Sequence, residues 1–177
     1  MRVLITGASG FIGKNLVARL RELKSVEVST FDRVGGLNQL SDLVRDSDSV
    51  IHLGGVNRTN VPDEFYEGNA GLTSLLCEAV AASGKCVPIV YSSSVQVDVD
   101  CDYGRSKLSA EEALKVLNKD TGCPIYIYRL PNIFGKWAKP NYNSVVATFC
   151  HNIARDLPIN INNPNAQINL NYLYHLL

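Results

Sequence analysis

The chain has 177 residues, 46% hydrophobic and 19% charged, enough to bury one core. Seventeen basic residues balance seventeen acidic ones, which argues against a nucleic-acid partner, because phosphate recognition favours a basic excess. Gly, Asn, Asp or Lys interrupts every apolar run before it could span a bilayer, and the first residues lack the apolar stretch and cleavage pattern of a signal peptide. A cytoplasmic protein with no membrane partner is expected. The five cysteines are odd in number, widely spaced and without a C-x-x-C pair. They predict buried free thiols, with neither a disulfide framework nor a zinc site, and no metal.

In chain order, residues 2–6 form a β-rich run that ends in a glycine cluster. Phe11, Leu16, Val17, Leu20 and Leu23 then recur at helical spacing. A strand is predicted over 26–31 and a short helix around Leu37, Leu40, Leu43 and Val44. A further strand over 49–53 stops at Gly54 and Gly55. One long helix is predicted from about 63 to 82, with Leu72, Leu75, Leu76, Ala79 and Val80 on its inner face and Gly84 at its end. Strand 87–91 runs into Ser92, Ser93 and Ser94. Helix 103–119, strand 124–130 and helix 143–155 follow. An Asn-rich segment with a strand-like stretch at 167–170 closes the chain. Alternation of this kind predicts an α/β fold: a doubly wound parallel sheet of Rossmann type, helices on both faces. The expected division is a dinucleotide-binding domain over 1–135 and part of a substrate-binding region over 136–177.

Three motifs carry chemistry. Thr6-Gly7-Ala8-Ser9-Gly10-Phe11-Ile12-Gly13 joins the first strand to the first helix. Gly7 permits the tight turn, Gly10 lets backbone approach a pyrophosphate, and Gly13 brings the helix close to the sheet. The helix N-terminus offers free N–H groups and partial positive charge to phosphates. At the end of the second strand, Asp32 suits a ribose 2′-hydroxyl and Arg33 a 2′-phosphate, so the two point to different dinucleotides. Tyr103-Gly104-Arg105-Ser106-Lys107 is a Y-x-x-x-K that puts a phenol and an ammonium one helical turn apart, where the ammonium should lower the phenol pKa. Ser92, Ser93 and Ser94 lie at a strand's carboxyl end, the edge where open α/β sheets bind ligands.

Together with His52-Leu53-Gly54-Gly55, Asn69 and Arg129-Leu130-Pro131-Asn132-Ile133-Phe134-Gly135, these motifs resemble an extended short-chain dehydrogenase/reductase of the nucleotide-sugar epimerase/dehydratase type. More narrowly, Gly55-Val56-Asn57-Arg58 and Phe134-Gly135-Lys136-Trp137 are similar to capsule and O-antigen enzymes that reduce a UDP-2-acetamido-2,6-dideoxy-hexos-4-ulose. The resemblance implies NADP(H), with NAD(H) as the alternative, held by Gly7, Ser9, Gly10, Phe11, Ile12, Gly13, Asp32, Arg33, Leu53, Gly54, Gly55, Asn69, Tyr103, Lys107 and Leu130. It implies Tyr103 as general acid on the C4 carbonyl, Lys107 on the nicotinamide ribose, and Ser92 as second donor to that carbonyl, a pair whose loss of one member costs about 10²–10³-fold in rate. Ser93, Ser94, Arg129 and Asn132 would meet a UDP-sugar, Arg129 equally suiting a structural ion pair. A homodimer is implied by analogy.

Departures from the family narrow the chemistry. Relatives that eliminate water carry an Asp-Glu pair after the catalytic hydroxyl, read here as positions 93 and 94, both serine. Relatives that invert a stereocentre carry a cysteine where Ser94 stands. Carbonyl reduction is therefore expected, with C4 epimerisation on bound NAD as one alternative and a non-catalytic nicotinamide-binding module as the other. The stretch from Asp32 to Ser49 is too short for the usual third strand. The resemblance runs to about Tyr172, implying a truncated or frameshifted chain that binds cofactor and turns sugar over poorly. His52 reads as a packed core histidine, Tyr126 and Tyr128 as packing residues, and Trp137 as a pocket wall or core residue.

Overall fold

The computed structural model describes residues 1–32 and 37–177. Arg33 lies outside the described residues. Two compact units are present, Met1–Arg129 and Leu130–Leu177.

The first unit is built on a sheet in the order β2-β1-β3-β4-β5. Its strands are β1 (Arg2–Thr6), β2 (Glu27–Phe31), β3 (Ser49–His52), β4 (Ile89–Ser94) and β5 (Ile125–Leu130). Strand β1 pairs parallel with both β2 and β3, and β3 pairs parallel with β4. Strand β2 is the sheet edge, so no strand lies beyond it among the described residues, in line with the short stretch after Asp32. Helices α1 (Phe11–Arg21), α2 (Leu37–Arg45), α3 (Pro62–Tyr66), α4 (Leu72–Ser83) and α5 (Asp102–Thr121) connect the strands. Order reverses between β1 and β3, and a crevice at that switch point is where such sheets bind ligands.

The sheet is covered on both faces. One core joins Leu4, Val50, Ile89 and Tyr91 to Leu40, Leu76, Ala110 and Leu114. The other sets Val3 and Ile5 against Leu16, Val17 and Leu20 of α1. β1 is buried along four successive residues, as expected of a strand with helices above and below. At β5 the tyrosines depart from expectation: Tyr126 is 52% and Tyr128 54% exposed, because β5 ends the sheet. Among the described residues no helix is long and apolar enough to cross a membrane. All five cysteines are free, but of the buried thiols expected only Cys123 is buried, while Cys86 and Cys150 are exposed.

The long helix expected over 63–82 is interrupted. A π-helical turn, Glu67–Gly71, separates α3 from α4. Leu75, expected inside, is 39% exposed, while Thr73 is fully buried with Leu76, Ala79 and Val80.

The second unit carries β6 (Asn132–Phe134), α6 (Val145–Ile153) and β7 (Leu170–Tyr172). Strands β6 and β7 pair parallel, Asn132 facing Leu170. Trp137 is 48% exposed, not a core residue, and Lys136 Nζ lies over its ring.

Candidate active site

The glycine turn after β1 is shaped by contact rather than by flexibility. Gly7 has φ +70°, and a Cβ there would fall 2.6 Å from the Gly54 backbone nitrogen. The end of β1 therefore sits directly on the end of β3. A Cβ on Gly13 would meet the Gly7 carbonyl oxygen at 2.3 Å, so α1 packs on its own entry turn. Gly10 caps α1 without a side-chain hydrogen bond, leaving the first-turn N–H groups, with Phe11 and Ile12 among them, to an external acceptor. Ser9 Oγ donates to Asp32 Oδ1 at 3.2 Å, which fixes the Asp32 carboxylate beside the turn. These residues fit a dinucleotide: an uncapped helix start, glycines where side chains would intrude, and a carboxylate at the end of β2.

Behind the turn runs a buried chain of hydrogen bonds. The Gly54 N–H donates to Thr6 Oγ1 at 3.1 Å. Thr6 Oγ1 lies 2.6 Å from His52 Nδ1, and His52 Nε2 lies 2.9 Å from Thr73 Oγ1. Thr73 in turn donates to the Asn69 carbonyl at 2.8 Å. The Thr73 proton is engaged there, so its oxygen accepts from His52 Nε2–H, and Thr6 donates to Nδ1. His52 is thus a neutral imidazole, protonated on Nε2. Burial, aided by the Lys107 charge, lowers its pKa to about 3. It is a core histidine, as expected.

The Ser, Tyr and Lys side chains come together where β4 meets α5. Cys101 Sγ accepts from the Gly104 N–H and caps the helix. A Cβ on Gly104 would fall 2.3 Å from the Gln96 carbonyl oxygen. Only glycine lets the first turn of α5 sit this close to the loop after β4. Tyr103 is thereby delivered to Ser94, whose hydroxyl favours the charged phenolate. Ser94 Oγ also accepts from the Gln96 N–H at 3.1 Å and retains both its proton and a second lone pair for the Tyr103 hydroxyl.

The hydroxyl that faces Tyr103 is therefore that of Ser94, not Ser92 as expected. Ser92 Oγ donates to the His52 carbonyl at 3.2 Å. Ser93, expected at substrate, points the other way and donates to Glu111 Oε1 at 2.5 Å. Alternation along a strand explains this split.

Lys107 also departs from expectation. Its ammonium donates to the Ser92 carbonyl at 2.6 Å and lies 4.3 Å from the centroid of the Tyr91 ring. Burial lowers its pKa to about 7, with the Glu111 charge pulling upward. It does not depress the tyrosine: burial pushes the Tyr103 phenol above its usual value, and the Ser94 hydrogen bond pulls only part of the way back.

Two further residues take structural roles. Arg129, read as a substrate contact or an ion-pair partner, is the latter: it grips Glu111 with Nε at 3.0 Å and Nη2 at 2.8 Å. Asn69, expected at the cofactor, is 1% exposed. Its Oδ1 accepts from Val56 N–H at 3.0 Å, and its Nδ2 donates to the Val56 carbonyl and to Ser106 Oγ, each at 2.9 Å. It braces the strand end at Leu53, Gly54 and Gly55 against α5. Glu111 and Tyr91 were absent from the sequence reading. Glu111 was detectable, since it follows Lys107 by four residues in a buried helix. Leu130 ends β5 and Asn132 opens β6, both in the second unit. No cluster of metal-ligating side chains occurs among the described residues.

A five-stranded parallel sheet with a glycine turn at its switch point, and Ser94, Tyr103 and Lys107 gathered near the carboxyl end of β4, defines a Rossmann-type doubly wound fold. Residues 3–169 match the model of the NAD dependent epimerase/dehydratase family, and the chain belongs to that family. It is 56% identical over 173 residues to the UDP-2-acetamido-2,6-beta-L-arabino-hexul-4-ose reductase of Pseudomonas aeruginosa, covering 98% of this chain and 46% of that protein. It is 25% identical to a UDP-glucose 4-epimerase of Vibrio cholerae, over 99% of this chain and 65% of that one. Among solved structures, the capsular polysaccharide assembling protein CapF of Staphylococcus aureus superposes with TM-score 0.87 at 40% identity, over 99% of this chain and 48% of CapF. The chain thus spans just under half the length of the reductase and of CapF.

Proposed function

We propose that this chain is the cofactor-binding part of an NADP(H)-dependent reductase of a UDP-linked 4-keto-6-deoxy amino sugar. One observation carries the reading: the Tyr103 phenol brought beside Ser94 at the carboxyl end of β4. The likeness to the Pseudomonas aeruginosa reductase over 98% of the chain supports the substrate class.

Nicotinamide, when bound, supplies the hydride. The chain's residues supply the proton and the fit. Tyr103 gives its hydroxyl proton to the carbonyl oxygen as that oxygen gains charge. The Ser94 hydroxyl, polarised by the Gln96 N–H, then donates to the tyrosinate that remains, which makes the transfer easier. Lys107 would donate to the cofactor ribose. Residues 7–13 would hold the diphosphate, with Leu53, Gly54 and Gly55 lining its other side. Neither Val95 nor Gln96 is acidic, and the nearest buried carboxylate, Glu111, is held by Ser93 and Arg129. No carboxylate among these residues is left to drive elimination.

Fluorescence titration with NADPH and NADH, together with Tyr103→Phe, tests this. We expect NADPH to bind more tightly than NADH. Tyr103→Phe should bind cofactor as the parent does and lose at least 10²-fold of any 4-keto-sugar reduction. Failure to bind either dinucleotide would sink the reading.

A further inference from the structure

Lys107 is a buried ammonium: only 5% of the residue is exposed. Burying such a charge is unfavourable unless its hydrogen bonds and its charge are both answered. The Ser92 carbonyl answers one hydrogen bond. Two residues with no role in the chemistry above also act on the ammonium.

Tyr91 stands beneath the ammonium. Its ring is fully buried, with the Lys107 nitrogen 4.3 Å from its centroid, within the range of a cation–π contact. His52 stacks on the same ring at 5.2 Å. The Tyr91 hydroxyl is buried near Thr73, so it is the ring that serves the ammonium. Glu111 follows Lys107 by one helical turn, the spacing at which opposite charges on a helix attract. It is held by Ser93 from β4 and Arg129 from β5. Successive turns of α5 thereby engage the end of β4: Tyr103 meets Ser94, Lys107 meets the Ser92 carbonyl, and Glu111 meets Ser93.

We propose that Tyr91 and Glu111 are positioning residues for Lys107: the Tyr91 ring seats the ammonium and the Glu111 carboxylate holds its charge, keeping it at the end of β4 one turn from Tyr103. The proposal rests on the catalytic reading of Lys107 given above. The charged and titratable groups facing Lys107 are His52 from β3, Tyr91 from β4, and Tyr103 and Glu111 on its own helix, with Arg129 from β5 screening Glu111. His52 stays neutral above about pH 3, so it adds no titration near neutrality.

Side-chain NMR of labelled lysine reads the Lys107 titration directly, its signal assigned by its loss in Lys107→Met. The wild-type midpoint should fall near 7. Tyr91→Phe, which keeps the ring, should leave it unmoved. Tyr91→Leu and Glu111→Gln should each lower it by about one unit. Arg129→Gln should raise it, because the guanidinium no longer screens Glu111. If Tyr91→Leu fails to fold, Glu111→Gln and the opposite sign at half-exposed Arg129 still decide the matter.

A one-unit fall leaves about a tenth of Lys107 charged at pH 7 instead of about half. NADPH binding by Glu111→Gln should then be roughly fivefold weaker at pH 7 and unchanged at pH 5. A Lys107 midpoint unmoved by Glu111→Gln, or lowered by Arg129→Gln, overturns the proposal. A wild-type chain that binds no dinucleotide overturns instead the catalytic reading, while the midpoints still judge the proposal.

Discussion

Three serines in a row illustrate what a single residue's identity conveys. Ser92, Ser93 and Ser94 are chemically alike, and their neighbours separate them. The His52 carbonyl takes the Ser92 hydroxyl, Glu111 takes Ser93, and Tyr103 takes Ser94. The sequence located the hydroxyl cluster but not the member that meets Tyr103, because register along a strand end depends on the partner helix. Ser94→Ala should raise the Tyr103 midpoint, read by ultraviolet absorbance of the phenolate, since a hydrogen bond that favours the charged form is lost. Ser92→Ala should leave that midpoint where it is. Equal effects from both substitutions would refute the assignment of Ser94.

At the scale of elements, the π-helical turn Glu67–Gly71 is the feature that sequence periodicity does not register. Apolar spacing through residues 63–82 fits one helix, yet the wide turn carries Asn69 inward to the end of β3. Such single turns recur at functional sites. The buried face of α4 then begins at Thr73, whose hydroxyl is required by His52, and Leu75 is left outside. Asn69→Ala should release Val56 and Ser106 together. Three hydrogen bonds vanish and buried polar groups are left without partners, a loss of about 2–4 kcal/mol. Urea denaturation measures it; a change below about 0.5 kcal/mol would show that the brace is unimportant.

For the whole molecule, two buried bases set the response to pH. The unfolded chain protonates His52 below about 6.5, whereas the native fold resists protonation down to about 3. The unfolded state binds more protons in that window, so stability falls as pH drops through it, by about 1.4 kcal/mol per unit. Lys107 acts in the same sense higher up: its native pKa is about 7 against 10.5 unfolded, so stability rises with pH between those values. Denaturation midpoints measured from pH 4 to 10 should show both slopes. His52→Gln should flatten the acid one and Lys107→Met the alkaline one. A flat profile in the parent chain would mean that neither base is buried uncharged.

The sequence by itself determined the parallel sheet, the glycine turn at its switch point, the tyrosine–lysine pair and the family they indicate. Those features depend on spacing along one or two adjacent elements, and local spacing is what a chain records directly. Tertiary structure decided that Ser94 meets Tyr103, that Arg129 serves Glu111, that Asn69 braces the strand end, and that Lys107 rests on Tyr91. Each of those pairings joins elements far apart in the chain, at distances of a few ångströms. They are settled only when α5 seats on β4 and all the buried charges and hydrogen bonds must be met at once.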